Sequence, residues 1–132
     1  MQLLPQFSVI SSELISQYAK LESGLNQLNL AASRIQLDLW IGDVTTQLVQ
    51  INDTADAWLL DGFAPAKNAD MWSAEVFSHM ARLSRLNTTF ATFTSAGVVR
   101  RGLSEAGFNV QKHTGFGKKR EMLNGVFTGK SA

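Results

Sequence analysis

The sequence predicts an α/β fold: an open, mostly parallel sheet covered by helices and finished by an antiparallel hairpin. Three observations carry this. Segments of strand character alternate with segments of helical spacing. One strand segment, Ala57-Trp-Leu-Leu60, is a nearly continuous apolar run, as in a strand buried on both faces of a parallel sheet. The last two strand segments are joined only by His113 to Glu121, too short for a parallel crossover.

Taken in order, Pro5 to Lys20 places Phe7, Ile10, Leu14, Ile15 and Tyr18 near helical spacing and reads as an amphipathic helix. Leu21 to Ser33 is interrupted by Gly24 and by asparagine and serine, and is grouped with it as an N-terminal helical segment over residues 1–34. Ile35 to Ile41 alternates apolar and polar residues, a strand that stops at Gly42-Asp43. Val44 to Gln50 is a short helix with Asp43 as a candidate N-cap. The Ala57–Leu60 strand is bounded by Asp56 and by Asp61-Gly62, and Gly62 to Asp70 is a loop. Trp72 to Leu86 has helical spacing, Thr89 to Thr94 is the next strand, and Val98 to Ala106 is a helix with Gly107 as its C′ residue. Phe108 to Lys112 and Met122 to Phe127 form the closing hairpin.

The 132 residues fit a single domain, and a 45% hydrophobic content suits a packed core rather than a disordered chain. No apolar run reaches the roughly 18 residues of a membrane span. Met1 to Ile10 lacks the basic start of a secretory signal, so neither membrane nor secretion is expected. The absence of cysteine removes disulfides and thiolate metal sites and fits a cytoplasmic protein. The formal charge of +1 conceals an imbalance. Residues 1–81 carry three basic and nine acidic side chains, net −6; residues 82–132 carry nine basic and two acidic, net +7. The basic part suits a polyanion, while two solvated faces that neutralise one another would give the same arithmetic.

In open α/β sheets, ligands sit beyond the C-terminal strand ends. Three such ends stand out: Gly42-Asp43, Asp61-Gly-Phe-Ala-Pro65 and Thr94-Ser-Ala-Gly97. Asp43 fits a helix N-cap as well as a ligand contact. Asp61 ends a buried run and has Phe63, Lys67 and Trp72 nearby. It suits acceptance of a hydrogen bond or proton from an amine beside a stacking ring, or a turn aspartate with aromatic core neighbours. Arg100-Arg101 and Gly115-Phe-Gly-Lys-Lys-Arg120 suit phosphate contacts, with Phe116 able to stack on a base; a solvated hairpin tip is the alternative. His79 and His113 are far apart in sequence, no metal signature is present, and no Gly-x-Ser-x-Gly supports a hydrolytic triad.

Ala57-Trp-Leu-Leu-Asp-Gly-Phe-Ala-Pro-Ala-Lys-Asn68 followed by Met71-Trp72 closely resembles the methyltransferase half of the MnmC family. These are the bifunctional enzymes completing 5-methylaminomethyl-2-thiouridine at the tRNA wobble position. Thr92-Phe-Thr-Ser-Ala-Gly97, Val99-Arg-Arg-Gly-Leu103 and Gly115-Phe-Gly-Lys-Lys-Arg-Glu-Met122 match the same family, so the resemblance is collinear over about residues 35–127. It implies a Rossmann-like fold and S-adenosylmethionine-dependent transfer of a methyl group to the aminomethyl nitrogen of the modified uridine. It assigns Asp61 to the amine, and Gly42, Asp43 and Asp61 to the cofactor. Phe63, Pro65, Lys67, Asn68, Trp72 and Ser95 go to the acceptor pocket, and Arg100, Arg101, Phe116, Lys118, Lys119 and Arg120 to tRNA. Asp61 to Pro65 also looks like a reordered Asp-Pro-Pro-Tyr signature of amino-methyltransferases.

Several departures accompany the resemblance. Ala69 stands where the family usually has proline, and Arg85-Leu-Asn-Thr88 replaces an Arg-Pro-Gly-Gly turn. Nothing before Ile35 supplies the glycine-rich first strand and loop, so residues 35–132 read as a methyltransferase domain incomplete at its N-terminus. In the usual strand order, 3-2-1-4-5-7-6, the Ile35 and Ala57 strands are third and fourth and not neighbours. Either the chain is a fragment, or those strands pair directly, or another chain, including a second copy, fills the gap. The FAD-dependent oxidoreductase half of the family is not found in this chain, so no FAD site is expected here and such a domain or chain is an expected partner. The alternative function is a non-catalytic module that binds tRNA or needs a partner chain.

Overall fold

A computed structural model describes residues 5–115, 117 and 121–130. The chain forms two compact units, Met1–Asp43 and Val44–Ala132.

In the first unit a 3-10 turn at Pro5–Phe7 leads into helix α1 (Ser8–Tyr18), followed by strands β1 (Gly24–Leu30) and β2 (Ile35–Ile41). The two strands form an antiparallel hairpin, with Leu30 opposite Ile35 and Gly24 opposite Ile41. The expectation of a helical segment over residues 1–34 is corrected here, because β1 is a strand. Its Leu28 and Leu30, two residues apart, are buried on one face. Asn26 is tolerated because its amide is used: Nδ2 donates to Glu22 O at 2.7 Å and to Leu39 O at 3.3 Å, and Oδ1 accepts from Glu22 N at 2.9 Å. The connecting turn holds Ala31, Ala32 and Ser33 at φ of 51°, 55° and 67°. Left-handed backbone costs roughly 1 kcal/mol or more per L-residue. Three bonds hold the turn: Glu13 on α1 accepts from Ala31 N at 2.8 Å, and Ala31 O accepts from Arg34 N at 3.2 Å and from Arg34 Nε at 3.3 Å.

The second unit contains α2 (Val44–Leu48), β3 (Ala55–Leu60), a 3-10 turn (Ala69–Trp72), α3 (Ala74–Arg82), β4 (Ser84–Thr92), α4 (Gly97–Ala106), β5 (Phe108–Thr114) and β6 (Glu121–Phe127). The sheet order is β3-β4-β6-β5. β3 and β4 are parallel, while β6 is antiparallel to both β4 and β5. Three strands therefore run one way and β6 is reversed between two of them. This is the predicted mostly parallel sheet with an antiparallel hairpin. The Ile35 and Ala57 strands do not pair directly among the described residues: β2 pairs with β1, and β3 with β4.

Register divides the side chains between two faces. Trp58, Leu60, Phe90, Leu123, Phe108 and Val110 face a core completed by Val76, Phe77 and Met80 of α3 and Val99 and Leu103 of α4. Phe90 meets Phe108 edge-on at 5.6 Å, and Phe108 meets Phe127 at 5.1 Å, favourable aromatic geometries. Ala57, Leu59, Thr89, Ala91, Asn124 and Val126 line a shallow groove on the opposite face. A Cβ on Gly125 would overlap Asn109 O and approach the Phe90 ring, so only glycine fits there. Arg82 at the end of α3 donates to Leu48 O and Ile51 O, each at 2.9 Å, and so braces the turn after α2, where Leu48 O also accepts from Ile51 N at 3.1 Å.

α3 is shorter than the Trp72–Leu86 expected, and β4 begins earlier. Ala55 pairs with Ser84 but Ala57 with Thr89, so Arg85-Leu-Asn-Thr88 is accommodated as a bulge inside the strand. Asn87 takes the left-handed conformation there, with φ of 75°. Ser73 caps α3, its hydroxyl accepting from Val76 N at 3.3 Å. Gly107 ends α4 in the left-handed region, as expected for a C′ glycine.

Candidate functional site

The parallel strands β3 and β4 deliver their ends side by side. Asp61 follows Leu60 directly, and Phe93 and Thr94 follow Thr92. Asp61, Trp72, Thr92, Phe93 and Thr94 line a cavity of about 310 Å³ at these ends, completed by Leu60, Gly62 and Ala64. That volume lies at the lower end of the range for small-molecule sites, roughly 300–1,000 Å³. Asp61 is exposed, whereas Trp72 is 5% exposed.

The loop after Asp61 is held from below. Trp72 Nε1 donates to Phe63 O at 2.7 Å, and Ala64 O accepts from Lys67 N at 2.8 Å and from Asn68 N at 3.1 Å. A Cβ on Gly62 would meet the thioether end of Met71, a flexible side chain that would have to shift to admit it. On the other strand, Thr92 Oγ1 accepts from Thr94 N at 3.4 Å and Thr94 Oγ1 accepts from Ala96 N at 3.3 Å, which turns the chain into α4.

The structure brings together two of the residues expected from sequence, Asp61 and Trp72. Phe63 is 74% exposed, and its side chain is not in the cavity lining. Pro65, Lys67, Asn68 and Ser95 are in the flanking loops and do not line it either. Gly42 and Asp43 follow β2 in the first unit, with Gly42 at φ of 148°. Arg100 and Arg101 are exposed on α4 and line a separate groove of about 370 Å³ with Ser104, Glu105 and Val110. Phe116, Lys118, Lys119 and Arg120 lie outside the described residues. His79 Nδ1 is 3.3 Å from Arg82 Nε and belongs to the structural contacts of α3. Among the described residues, no group of three histidine, aspartate or glutamate side chains is placed to hold a metal.

The strand end beginning at Thr94 was singled out from sequence, but Thr92 and Phe93 were missed as lining residues. No local pattern marks them, because their place beside Asp61 follows from the parallel pairing of β3 with β4.

A family model for S-adenosyl-L-methionine-dependent methyltransferases matches residues 5–128. The chain belongs to this family. Two curated relatives of this methyltransferase, both named tRNA 5-methylaminomethyl-2-thiouridine biosynthesis bifunctional protein MnmC, align over all 132 residues. The protein of Pseudomonas entomophila (strain L48) is 49% identical and that of Marinomonas sp. (strain MWYL1) 46%. The chain spans 20% of the length of each. The crystal structure of MNMC2 from Aquifex aeolicus covers 97% of this methyltransferase chain, and 39% of its own, at a TM-score of 0.75. Its 22% identity shows the fold alone. The observed sheet is that of an incomplete Rossmann-like methyltransferase, and its cavity lies at the strand ends where such folds bind ligands. No helix among the described residues is long and apolar enough to cross a membrane.

Proposed function

We propose that the chain serves methyl transfer from S-adenosyl-L-methionine to the aminomethyl nitrogen of wobble-position 5-aminomethyl-2-thiouridine in tRNA. The observation that carries this is Asp61, a carboxylate placed in the strand-end cavity of a methyltransferase whose MnmC relatives match it over its whole length. A carboxylate there fits an amine, whether the ammonium group of the cofactor or the acceptor nitrogen. When bound, S-adenosyl-L-methionine supplies an electrophilic methyl group on a sulfonium sulfur. The chain's own part is positioning and proton handling. Asp61 accepts a hydrogen bond from the acceptor amine, turns its lone pair toward the incoming methyl and takes up the proton the amine releases. Trp72 fixes the loop that carries Asp61 by holding Phe63 O. Gly42 and Asp43 are assigned to the cofactor, and exposed Arg100 and Arg101 to tRNA phosphates. An FAD-dependent oxidoreductase domain or chain is the proposed companion, and the cytoplasm, where tRNA is modified, the proposed setting.

The test supplies the chain with labelled methyl donor and tRNA bearing 5-aminomethyl-2-thiouridine. Label should enter the tRNA, and Asp61→Asn should reduce its entry by about 100-fold or more. The urea midpoint should stay unchanged, because Asp61 is exposed. A wild-type chain that binds tRNA in a salt-dependent way yet transfers no methyl group would replace this reading with that of a tRNA-binding module.

A further inference from the structure

We infer that Phe93 is the platform on which the pyrimidine ring of the acceptor stacks, so that its 5-substituent reaches Asp61. This rests on the reading of the Asp61 site given above. Leu59 pairs with Ala91 and Leu60 with Thr92 in the parallel ladder. The ladder ends at that pair, so Asp61 and Phe93 are each the next residue beyond two neighbouring strand ends, where strands lie about 4.8 Å apart. Both line the same cavity. A ring lying on Phe93 therefore directs a one-carbon aminomethyl arm across the cavity toward the carboxylate.

The exposure of Phe93 points the same way. Phe90 and Phe108 of this sheet are 2% and 1% exposed and belong to the aromatic core, whereas Phe93 is 50% exposed at the cavity wall. Its neighbour Thr92 is 4% exposed, so the strand end is well anchored and presents the ring from a fixed backbone. Phe63 is still more exposed, but only its backbone is tied to the site, through the carbonyl bonded to Trp72. Aromatic stacking tolerates any base, so the division of labour is definite: Phe93 holds the ring, and Asp61 reads the amine.

The experiment titrates the chain with two anticodon stem-loop RNAs by fluorescence anisotropy. One carries wobble 5-aminomethyl-2-thiouridine and the other an unmodified uridine. The wild-type chain should prefer the aminomethyl RNA. Phe93→Ala and Phe93→Leu should weaken both RNAs by about tenfold while the preference survives, and Phe93→Tyr should bind as the wild type does. Asp61→Asn should abolish the preference instead. Phe93→Leu retains apolar bulk without a π face, so wild-type binding by this variant overturns the stacking role and leaves the proposed function standing. A wild-type chain indifferent to the aminomethyl group overturns the reading of the Asp61 site and the role of Phe93 with it.

Discussion

The indole of Trp72 donates a hydrogen bond to the carbonyl oxygen of Phe63 at 2.7 Å, and thereby ties the loop after Asp61 to the buried end of the 3-10 turn before α3. Trp72→Phe keeps most of the packing and leaves that carbonyl without its donor. It should cost about 1 kcal/mol in urea unfolding and weaken binding of the aminomethyl stem-loop. Trp72→Ala empties a core position and should cost about 3–5 kcal/mol. Equal stability of Trp72→Phe and wild type would show that the tether contributes nothing.

Thr88 is 2% exposed, and its hydroxyl serves two strands at once. It donates to Ala55 O at 2.7 Å and accepts from Arg85 N at 3.0 Å, which closes the β4 bulge against the start of β3. Thr88→Val is nearly isosteric and strips both partners, so it should cost about 2–3 kcal/mol. Thr88→Ser retains both bonds and loses one methyl group, which should cost about 1 kcal/mol. The order of the two urea midpoints checks this: valine below serine is expected.

Gly102 of α4 lies against the ring of Phe77, where an added Cβ would come within 2.5 Å of Phe77 Cδ2 and Cε2. Phe77 is 2% exposed and has little room to retreat. Alanine favours the helix by about 1 kcal/mol, but the overlap should cost about 1–3 kcal/mol, and Gly102→Ala should be destabilising on balance. In a Phe77→Leu background the sign should reverse, with Gly102→Ala stabilising by about 0.5–1 kcal/mol. Additive effects across this double-mutant cycle would rule out the steric account.

Elements that are self-contained were readable from the sequence. β2 alternates apolar and polar residues as far as Leu39 and stops at Gly42, α4 ends on a glycine that takes φ of 109°, and the β5–β6 link is too short for anything but an antiparallel return. β1 was not readable, because its asparagines resemble interruptions until Asn26 is seen bonded to Glu22 and across the hairpin to Leu39. The boundary between α3 and β4 was misplaced for a similar reason: Leu86 continues the helical spacing, but Arg85 to Thr88 is bulged strand held by the Thr88 hydroxyl. The site divides in the same way. Asp61 stands out as the polar end of an apolar run. Phe93 acquires its meaning only from the pairing of β3 with β4, which local pattern does not contain.

The placement of β6 has a consequence in time. It is the last strand of the second unit to leave the ribosome, yet its slot is internal, and Leu123 at 0% exposure seals the middle of the core. At about 5–20 residues per second, β4 and β5 wait on the order of a second or more with facing edges open before their common neighbour arrives. During that interval Phe90 and Phe108 lack their central cover. Assembly of this sheet thus closes from the outside inward, and the strand that completes it is the one translated last.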